Sequence, residues 1–390
     1  MLFFFFFFLK GLLLLCGQVT LQYGENLSEV SKFRLCYAVC PMLVTVACIV
    51  VAEIRPLKMY GLAATFAVLL IWLTMFITMG FIAHSPPNYA ISALGSVGGA
   101  VDPQTITPGP DGKYPAIMHY SGMPPGGLQG ALNGLMTAIE AYSGVQLFVE
   151  MMAEMRRPRD FIKAVWGAQF VIYVSYVVYG CFVYYFQGQY TFSPAYLSIS
   201  RYSWQTAANM LTLIAGLIGG GLYSNIGIKV FYNNIIYGFF RVPITSPTGK
   251  VIFAIIVPIW WFIAYVIGSA IPDFVGLISV VSAFVFLPMT YTLPPLFALG
   301  FDIQRRAVRP DLGEGFDPTT GKCVRHDGSV LRWVRGFFSG GVLQVAVNCW
   351  HVVFVLGSLV TCGLGMYSGI TRSYYPPFFF LLYGWLLIVL

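Results

Sequence analysis

Charged residues are scarce in this chain. Asp, Glu, Lys and Arg account for 9% of its 390 residues, whereas hydrophobic residues account for 58%. Soluble domains carry roughly 25% charged and roughly 45–50% apolar residues. A soluble core cannot absorb such an excess of apolar surface, but a lipid bilayer can. The shortage of charge therefore excludes a soluble globular fold and predicts an integral membrane protein.

Several motifs that would indicate other functions are missing as well. The sequence has no G-x-x-x-x-G-K-[ST] phosphate loop, which argues against an ATP-driven pump. It has no Cys-x-x-Cys pair and its four histidines are scattered, so we expect no metal site and no cofactor. No repeated filter string or ring-forming charged motif indicates a channel. We therefore expect no enzyme activity, and a carrier is the favoured class.

Long apolar runs make up most of the chain. A membrane-spanning helix needs about 20 mostly apolar residues. Backbone polar groups in hydrocarbon must be satisfied within their own segment, so each such run is predicted to be helical. The candidate spans are residues 2–21, 36–54, 61–83, 129–151, 164–186, 205–227, 250–270, 275–299 and 341–366, with a shorter extra segment at 375–390. The predicted fold class is all-α, a polytopic transmembrane helix bundle in which residues 1–390 form a single domain.

The positive charges are distributed unevenly between the predicted loops. Of the 22 Lys and Arg residues, 16 lie in the second, fourth, sixth and eighth loops and five lie on the opposite side. Because Lys and Arg concentrate in cytoplasmic loops, the 300–340 loop is predicted to be cytoplasmic. The Pro- and Gly-rich 84–128 loop is then extracellular or lumenal, and it should be irregular. Topology thus explains the net charge of +7, and no nucleic-acid partner is expected.

The span at 129–151 carries the densest set of polar residues. Ionisable residues at membrane depth are costly and face a bundle interior or a water-filled cavity. Ser143 and Gly144 follow Tyr142 near the centre of this span, and they can interrupt the helix. A break exposes backbone groups that can bind a carboxylate or an ammonium group. The alternative is a helix packed closely through Gly144, with Glu140 paired to another polar group.

Two carboxylates of this span are candidates for coupling or gating. Glu140 lies near the centre, and Glu150 lies closer to the predicted cytoplasmic end. A membrane carboxylate can carry a proton through the bundle, and Glu140 is the preferred candidate.

The span at 205–227 is rich in small residues. Gly216 and Gly220 are four residues apart, a spacing that favours close packing between helices. Packing is therefore the preferred interpretation of this stretch. Asn225 is also a candidate substrate-binding residue, because a polar side chain in a span can line a pathway.

Several strings of the sequence resemble the amino acid/auxin permease family, especially its fungal neutral-amino-acid permease branch. They are LSEVSKFRLCYAVC at 27–40, IRPLKMYG at 54–61, HSPPNYA at 84–90, LFVEMMAEMRRPRDF at 147–161, GLYSNIGIKVFYNNI at 221–235, YTLPP at 291–295 and GLGMY at 363–367. The resemblance extends over about 22–300 and, more loosely, over 341–367.

This resemblance implies a secondary transporter with the leucine-transporter-like inverted-repeat fold and a substrate site at the membrane midplane. Such proteins typically carry amino acids in symport with protons, and sodium is the other coupling ion to consider. The 129–151 span corresponds to the sixth helix of the family, which unwinds at the substrate. Tyr142, Ser143 and Gly144 are thereby implied as substrate-binding residues. The expected partners are an amino acid, protons and the lipid bilayer, in either the plasma membrane or the vacuolar membrane.

One family signature is not found in this sequence. The first helix of the family carries a G-x-G-x-L-x-x-P-type string, and no such string occurs here. If 129–151 is the sixth helix, then 2–21 is the third, so the fold is expected to be N-terminally incomplete. Two hypotheses follow. The chain is either a proton-coupled transporter of neutral amino acids that works by alternating access, or a transport-inactive truncated paralogue or membrane nutrient sensor.

Overall fold

The computed structural model describes residues 2–30, 36, 39–92, 106–122, 127–145, 148, 151–152, 155–270, 274–317 and 321–372. About 80% of these residues are helical. Apart from 3₁₀ and π turns and a short helix at Tyr237–Phe240, the helices are α1 (Leu2–Val30), α2 (Val39–Ala52), α3 (Leu57–His84), α4 (Tyr89–Ser92), α5 (Gly127–Ala141), α6 (Phe161–Gln187), α7 (Tyr202–Phe231), α8 (Pro247–Ala270), α9 (Phe274–Val281), α10 (Leu293–Arg306), α11 (Val330–Phe338) and α12 (Val342–Arg372). A small antiparallel hairpin joins β1 (Gly315–Asp317) to β2 (Lys322–Val324), with Phe316 opposite Cys323.

Six helical stretches in the described part of the chain are long and apolar enough to cross a membrane. They are Met59–His84, Pro158–Tyr190, Tyr202–Phe240, Pro247–Ser269, Gly276–Arg306 and Val342–Thr371. By contrast, α2 has 14 residues and α5 has 15, fewer than the about 20 that a span needs. Within the described residues, α2 covers Val39–Ala52 of the predicted span 36–54, and α5 ends at Ala141 within the predicted span 129–151. The chain forms an all-α polytopic transmembrane bundle, which confirms the predicted class.

Helix α1 lies at the centre of the bundle. It contacts α2, α7, α8 and α9. Its Gly17 permits a close crossing with α8, because a Cβ at this position would lie 3.2 Å from the carbonyl oxygen of Ala264. The largest core cluster forms around this crossing and includes Leu12, Phe253 and Trp261, which are buried. Small residues thus let two long helices approach each other through their backbones.

The glycines of α7 pack in the way that their spacing predicts. A Cβ on Gly216 would overlap the ring of Tyr23 on α1. A Cβ on Gly220 would lie 3.0 Å from Val19 and 3.2 Å from Trp261. The interpretation of this face as a close packing surface is therefore confirmed.

The two large predicted loops contain more structure than the sequence suggests. The helix predicted at 275–299 continues through two π-helical turns into α10 and ends at Arg306. The predicted 300–340 loop consequently begins later, and it also contains the β hairpin and α11. In the 84–128 loop, α4 forms one short helix, and residues 106–122 are mostly irregular. The extra segment at 375–390 lies outside the described residues.

Candidate functional site

Helix α5 ends inside the bundle. After Ala141 the chain leaves helical geometry, and Gly144 adopts a φ of 137°. This φ value favours glycine, because a Cβ would be strained there. The backbone N–H and the hydroxyl of Ser143 both donate to the carbonyl oxygen of Glu140, at 3.0 and 2.7 Å. Ser143 thus closes the end of the helix, and Gly144 redirects the chain.

The glycine is needed for its backbone angle and not for close packing. Among the described residues, a Cβ on Gly144 would meet no atom within 4 Å. The alternative interpretation of this span is a helix packed closely through Gly144, with Glu140 paired to another polar group. These contacts give no support to the packing, whereas the hydrogen bond from Gln18 to Glu140 agrees with the pairing. The break lies where the Ser-Gly pair predicts it.

The carboxylate of Glu140 pairs with an amide from another helix. Nε2 of Gln18 on α1 donates a hydrogen bond to Oε1 of Glu140. Gln18 is buried, and its Oε1 has no hydrogen-bond partner among the described residues. The hydroxyl of Ser282 lies close to the same carboxylate but has no partner at hydrogen-bond geometry. Helices α1 and α5 and the helical turn that contains Ser282 therefore bring polar groups together beside the end of α5.

Tyrosine rings surround this polar group. The ring of Tyr142 meets that of Tyr176 on α6 edge-on, with centroids 5.5 Å apart. Tyr176 on α6 and Tyr223 on α7 are close enough to interact electrostatically with the Glu140 carboxylate. Tyr291 is close enough to interact electrostatically with Tyr142. The break is thus bordered by aromatic side chains that carry polar tips. Aromatic rings and a few polar groups are typical of small-molecule sites.

The helix opposite the break is irregular as well. Residues Ser282–Phe286 and Pro288–Thr292 form π-helical turns between α9 and α10. Proline lacks a backbone N–H and disturbs the regular hydrogen-bond ladder, so Pro288 accounts for part of this irregularity. Single π turns frequently occur at functional sites. The hydroxyl of Thr290 in this stretch is buried and has no partner among the described residues.

A separate hydrogen-bond network fixes the first half of α5. Oδ1 of Asn133 accepts from the hydroxyls of Ser279 on α9, at 3.0 Å, and Ser368 on α12, at 2.9 Å. All three side chains are buried. Farther along the same face, Nε2 of Gln129 donates to the hydroxyl of Thr371 at 3.0 Å. This anchored half of α5 holds Glu140 in place.

Asn225 lies elsewhere in the bundle. Its Nδ2 donates to the carbonyl oxygen of Ile54 at 2.8 Å, and it also approaches that of Arg55 at 3.5 Å. Residues two positions apart on a helix point to nearly opposite sides, so Tyr223 faces Glu140 while Asn225 faces the end of α2. Asn225 therefore binds carbonyl groups of the loop that follows α2, and the structure does not bring it into the cluster at the break.

One candidate residue cannot be placed in the site, and one residue of the site was not among the candidates. Glu150 lies outside the described residues. The structure brings Tyr142, Ser143 and Glu140 together, and it adds Gln18, which the sequence analysis overlooked. Gln18 is a polar residue within an apolar run, which is the signal that could have identified it. No set of three or more His, Cys, Asp or Glu side chains in the described ranges could hold a metal ion.

Comparison with known proteins identifies the family of the chain. A family model described as "Transmembrane amino acid transporter protein" matches residues 1–301, which is 301 of the 390 residues. Neither the curated proteins nor the solved structures contain a match to the chain. Members of the matched family are transporters and not enzymes, and their substrates are amino acids. The chain therefore belongs to the transmembrane amino acid transporter family, and it is a multi-pass integral membrane protein.

Proposed function

We propose that this protein carries neutral amino acids across the membrane in symport with protons, by alternating access. The observation that carries the proposal is the end of α5 inside the bundle, one residue after the paired carboxylate of Glu140. In transporters, interrupted helices expose backbone groups to substrate near the membrane midplane. Family membership supports amino acid transport in general, and the site supports the finer proposal.

The substrate binds at Tyr142, Ser143 and Gly144. The N–H of Gly144 forms no backbone hydrogen bond with the described residues, so it is available to a substrate carboxylate. The positive φ of Gly144 turns the backbone out of the helix and leaves room beside it. The rings of Tyr142, Tyr176 and Tyr291 provide an apolar border for a side chain. Among the described residues, no Lys or Arg interacts electrostatically with the Glu140 carboxylate. This lack of a fixed positive charge fits a substrate without net charge.

Glu140 carries the coupled proton. A charged carboxylate at membrane depth costs free energy, and protonation removes this cost. Proton binding and substrate binding can therefore stabilise the same conformation. Its partner Gln18 belongs to α1, the most central helix, so a change in protonation acts directly on the contact between α1 and α5. Glu150 is a second candidate for gating, and Asn225 for lining the pathway.

The strings that resemble the amino acid/auxin permease family carry the remaining parts of the proposal. They favour the fungal neutral-amino-acid branch, the leucine-transporter-like arrangement and a location in the plasma or vacuolar membrane. The alternative is a transport-inactive paralogue or a membrane nutrient sensor, and the lack of a G-x-G-x-L-x-x-P-type string in this sequence supports it.

Uptake into proteoliposomes distinguishes the two hypotheses. Purified protein is reconstituted, an inward proton gradient is imposed, and the accumulation of labelled alanine, leucine or lysine is followed. The proposal predicts accumulation of the neutral amino acids, collapse of the uptake by a protonophore and no accumulation of lysine. A sodium gradient at constant pH is the control for the coupling ion. Specific binding of an amino acid without any uptake would support the sensor or inactive paralogue instead.

A further inference from the structure

Helix α11 turns its apolar side away from the protein. Val330, Leu331, Val334 and Phe338 are 77%, 73%, 47% and 64% exposed. At 100° per residue these four positions share one face of the helix. On the other side, Arg332 is buried at 3% exposed. A surface helix in water has the opposite arrangement, so this face needs an apolar neighbour.

Ionic contacts fix this orientation. Nη1 of Arg332 and Oε1 of Glu314 are 2.9 Å apart in a buried pair, and Nε of Arg332 donates to Gln304 of α10 at 3.2 Å. Nη2 of Arg335 donates to the carbonyl oxygen of Ala307 at 3.0 Å. Rotation of α11 would bury apolar residues but break the Arg332–Glu314 pair. The apolar face is therefore held outward by the structure.

The exposed face continues the lipid-facing surface of the bundle. Helix α12 enters the membrane at Val342, four residues after the end of α11, and Val342 is 89% exposed. On the other side, Phe301 at the end of α10 is 67% exposed. Because α11 is placed between the ends of two membrane-spanning helices, the apolar neighbour of its exposed face is lipid. An amphipathic helix in this position lies in the interfacial plane of the bilayer.

A groove of about 770 Å³ separates α10 from the segment that carries α11. The residues that line it include the apolar Leu296, Phe297 and Phe301, together with Trp333 and Arg325. Pockets of this size hold small ligands. Tryptophan is enriched at the membrane–water interface, which fits the position of Trp333.

The charge balance of the groove leaves one cation without a counter-charge. Arg332 is paired with Glu314, and Asp327 is paired with Arg335 at 3.7 Å. Arg325 is exposed, and it forms no ion pair with any residue in the part of the chain that the structure describes. A mostly apolar lining that includes a guanidinium without an ion-pair partner among the described residues matches a lipid with an anionic headgroup.

We propose that α11 lies in the headgroup region of the bilayer, in the leaflet on the side of the arginine-rich 300–340 region. We also propose that the groove between α10 and α11 holds one anionic phospholipid. The acyl chain packs against Leu296, Phe297 and Phe301, and the phosphate pairs with Arg325. Arginine forms charge-assisted, bidentate hydrogen bonds with phosphate, which favours this contact. The proposal does not depend on whether the protein transports amino acids.

Native mass spectrometry of the purified full-length protein tests the lipid site. Phosphatidylserine should bind about fivefold more tightly than phosphatidylcholine, and Arg325→Glu should remove this preference. Lys322→Glu is the matched control, because it changes the same charge in the same exposed hairpin but does not line the groove. Equal losses in both variants, or no loss in Arg325→Glu, would overturn the site. Soluble glycerophosphoserine should not compete, and equally tight binding of this headgroup would exclude a role for the acyl chain.

A depth measurement tests the placement of α11 independently. A spin label on Leu331→Cys, in vesicles of phosphatidylcholine and phosphatidylserine, should collide more often with oxygen than with a water-soluble nickel chelate. A label on the exposed native Cys323 should show the reverse. The other cysteines are replaced by serine, and retained thermal stability is the check on folding. Aqueous accessibility at residue 331 would contradict the interfacial placement.

Discussion

The side-chain amide of Gln18 donates a hydrogen bond to the carboxylate of Glu140, across 122 positions of the chain. This contact joins the most central helix to the helix that breaks at Tyr142. Because this hydrogen bond is made by the carboxylate of Glu140, a proton on Glu140 changes the interaction between the two helices. The predictions below test this arrangement and the packing that supports it.

Replacement of Glu140 by glutamine should separate binding from coupling. The variant keeps the shape of the side chain but cannot release a proton. We expect proton-driven accumulation of neutral amino acids to fall by at least about tenfold, equivalent to ~1.4 kcal/mol, while amino acid exchange without a gradient persists. Glu53→Gln, at the far end of α2, is the matched control and should retain accumulation. Full accumulation by Glu140→Gln would remove this residue from the coupling mechanism.

Replacement of Gly144 by alanine should weaken the substrate site. A residue with a Cβ at a φ of 137° is strained by about 1–3 kcal/mol. We therefore expect a lower melting temperature and weaker amino acid binding, measured by scanning fluorimetry with and without substrate. Gly134→Ala, within α5, is the control, since its added Cβ also meets no atom of the described residues within 4 Å. Identical behaviour of the two variants would show that the backbone angle is unimportant.

Replacement of Gly216 by alanine should destabilise the bundle without a direct effect on the break. The added methyl group would overlap the ring of Tyr23, and overpacking of this kind costs about 1–3 kcal/mol. Gly219→Ala on the same helix meets no atom within 4 Å and should leave the thermal stability nearly unchanged. The second replacement Tyr23→Leu should recover part of the loss. A stability of Gly216→Ala equal to that of Gly219→Ala would contradict the observed packing of α1 against α7.

The hairpin between α10 and α11 should respond to acid. The backbone N–H groups of His326 and Arg309 donate to Glu314 and lower the pKa of its carboxyl to about 2, from an ordinary value of 4.5. A lowered pKa means that the charged form stabilises the fold above the ordinary value and that this contribution disappears as the pH falls through about 2. The mobility of a spin label on the exposed Cys323 should therefore increase as the pH falls from about 4.5 to about 2.

Glu314→Gln is the control for this acid response. The amide cannot titrate, so mobility of the label in this variant should depend little on pH over the same range. A wild-type protein that mobilises at pH 6 would show that another group controls the hairpin.

Local features of the site were predictable, whereas its long-range contacts were not. The break at Ser143-Gly144 follows from two residues that weaken a helix in an otherwise apolar run. The pairing of Gln18 with Glu140 depends on how α1 and α5 cross, and no local pattern contains that information. Pro288 predicts a kink, but the formation of π-helical turns on both sides of Leu287 depends on the packing against α12.

The region after residue 300 shows a different limit. Its many Lys and Arg residues predict a loop on one side of the membrane, because charge content alone indicates the side but not the secondary structure. The string VLRWVRGFF nevertheless has its arginines and its apolar residues on opposite helical faces, which is a readable signal for α11. Only the structure shows that the arginines face inward, since the partners Glu314 and Gln304 come from separate segments.

The central claim is that amino acid movement and proton movement are coupled through Glu140. Proteoliposomes that contain a pH-sensitive dye test it directly when a neutral amino acid is added outside, with no initial proton gradient and with the membrane potential clamped. The account predicts acidification of the lumen by the wild-type protein and none by Glu140→Gln. Amino acid uptake by the wild-type protein without any change in lumenal pH would contradict it.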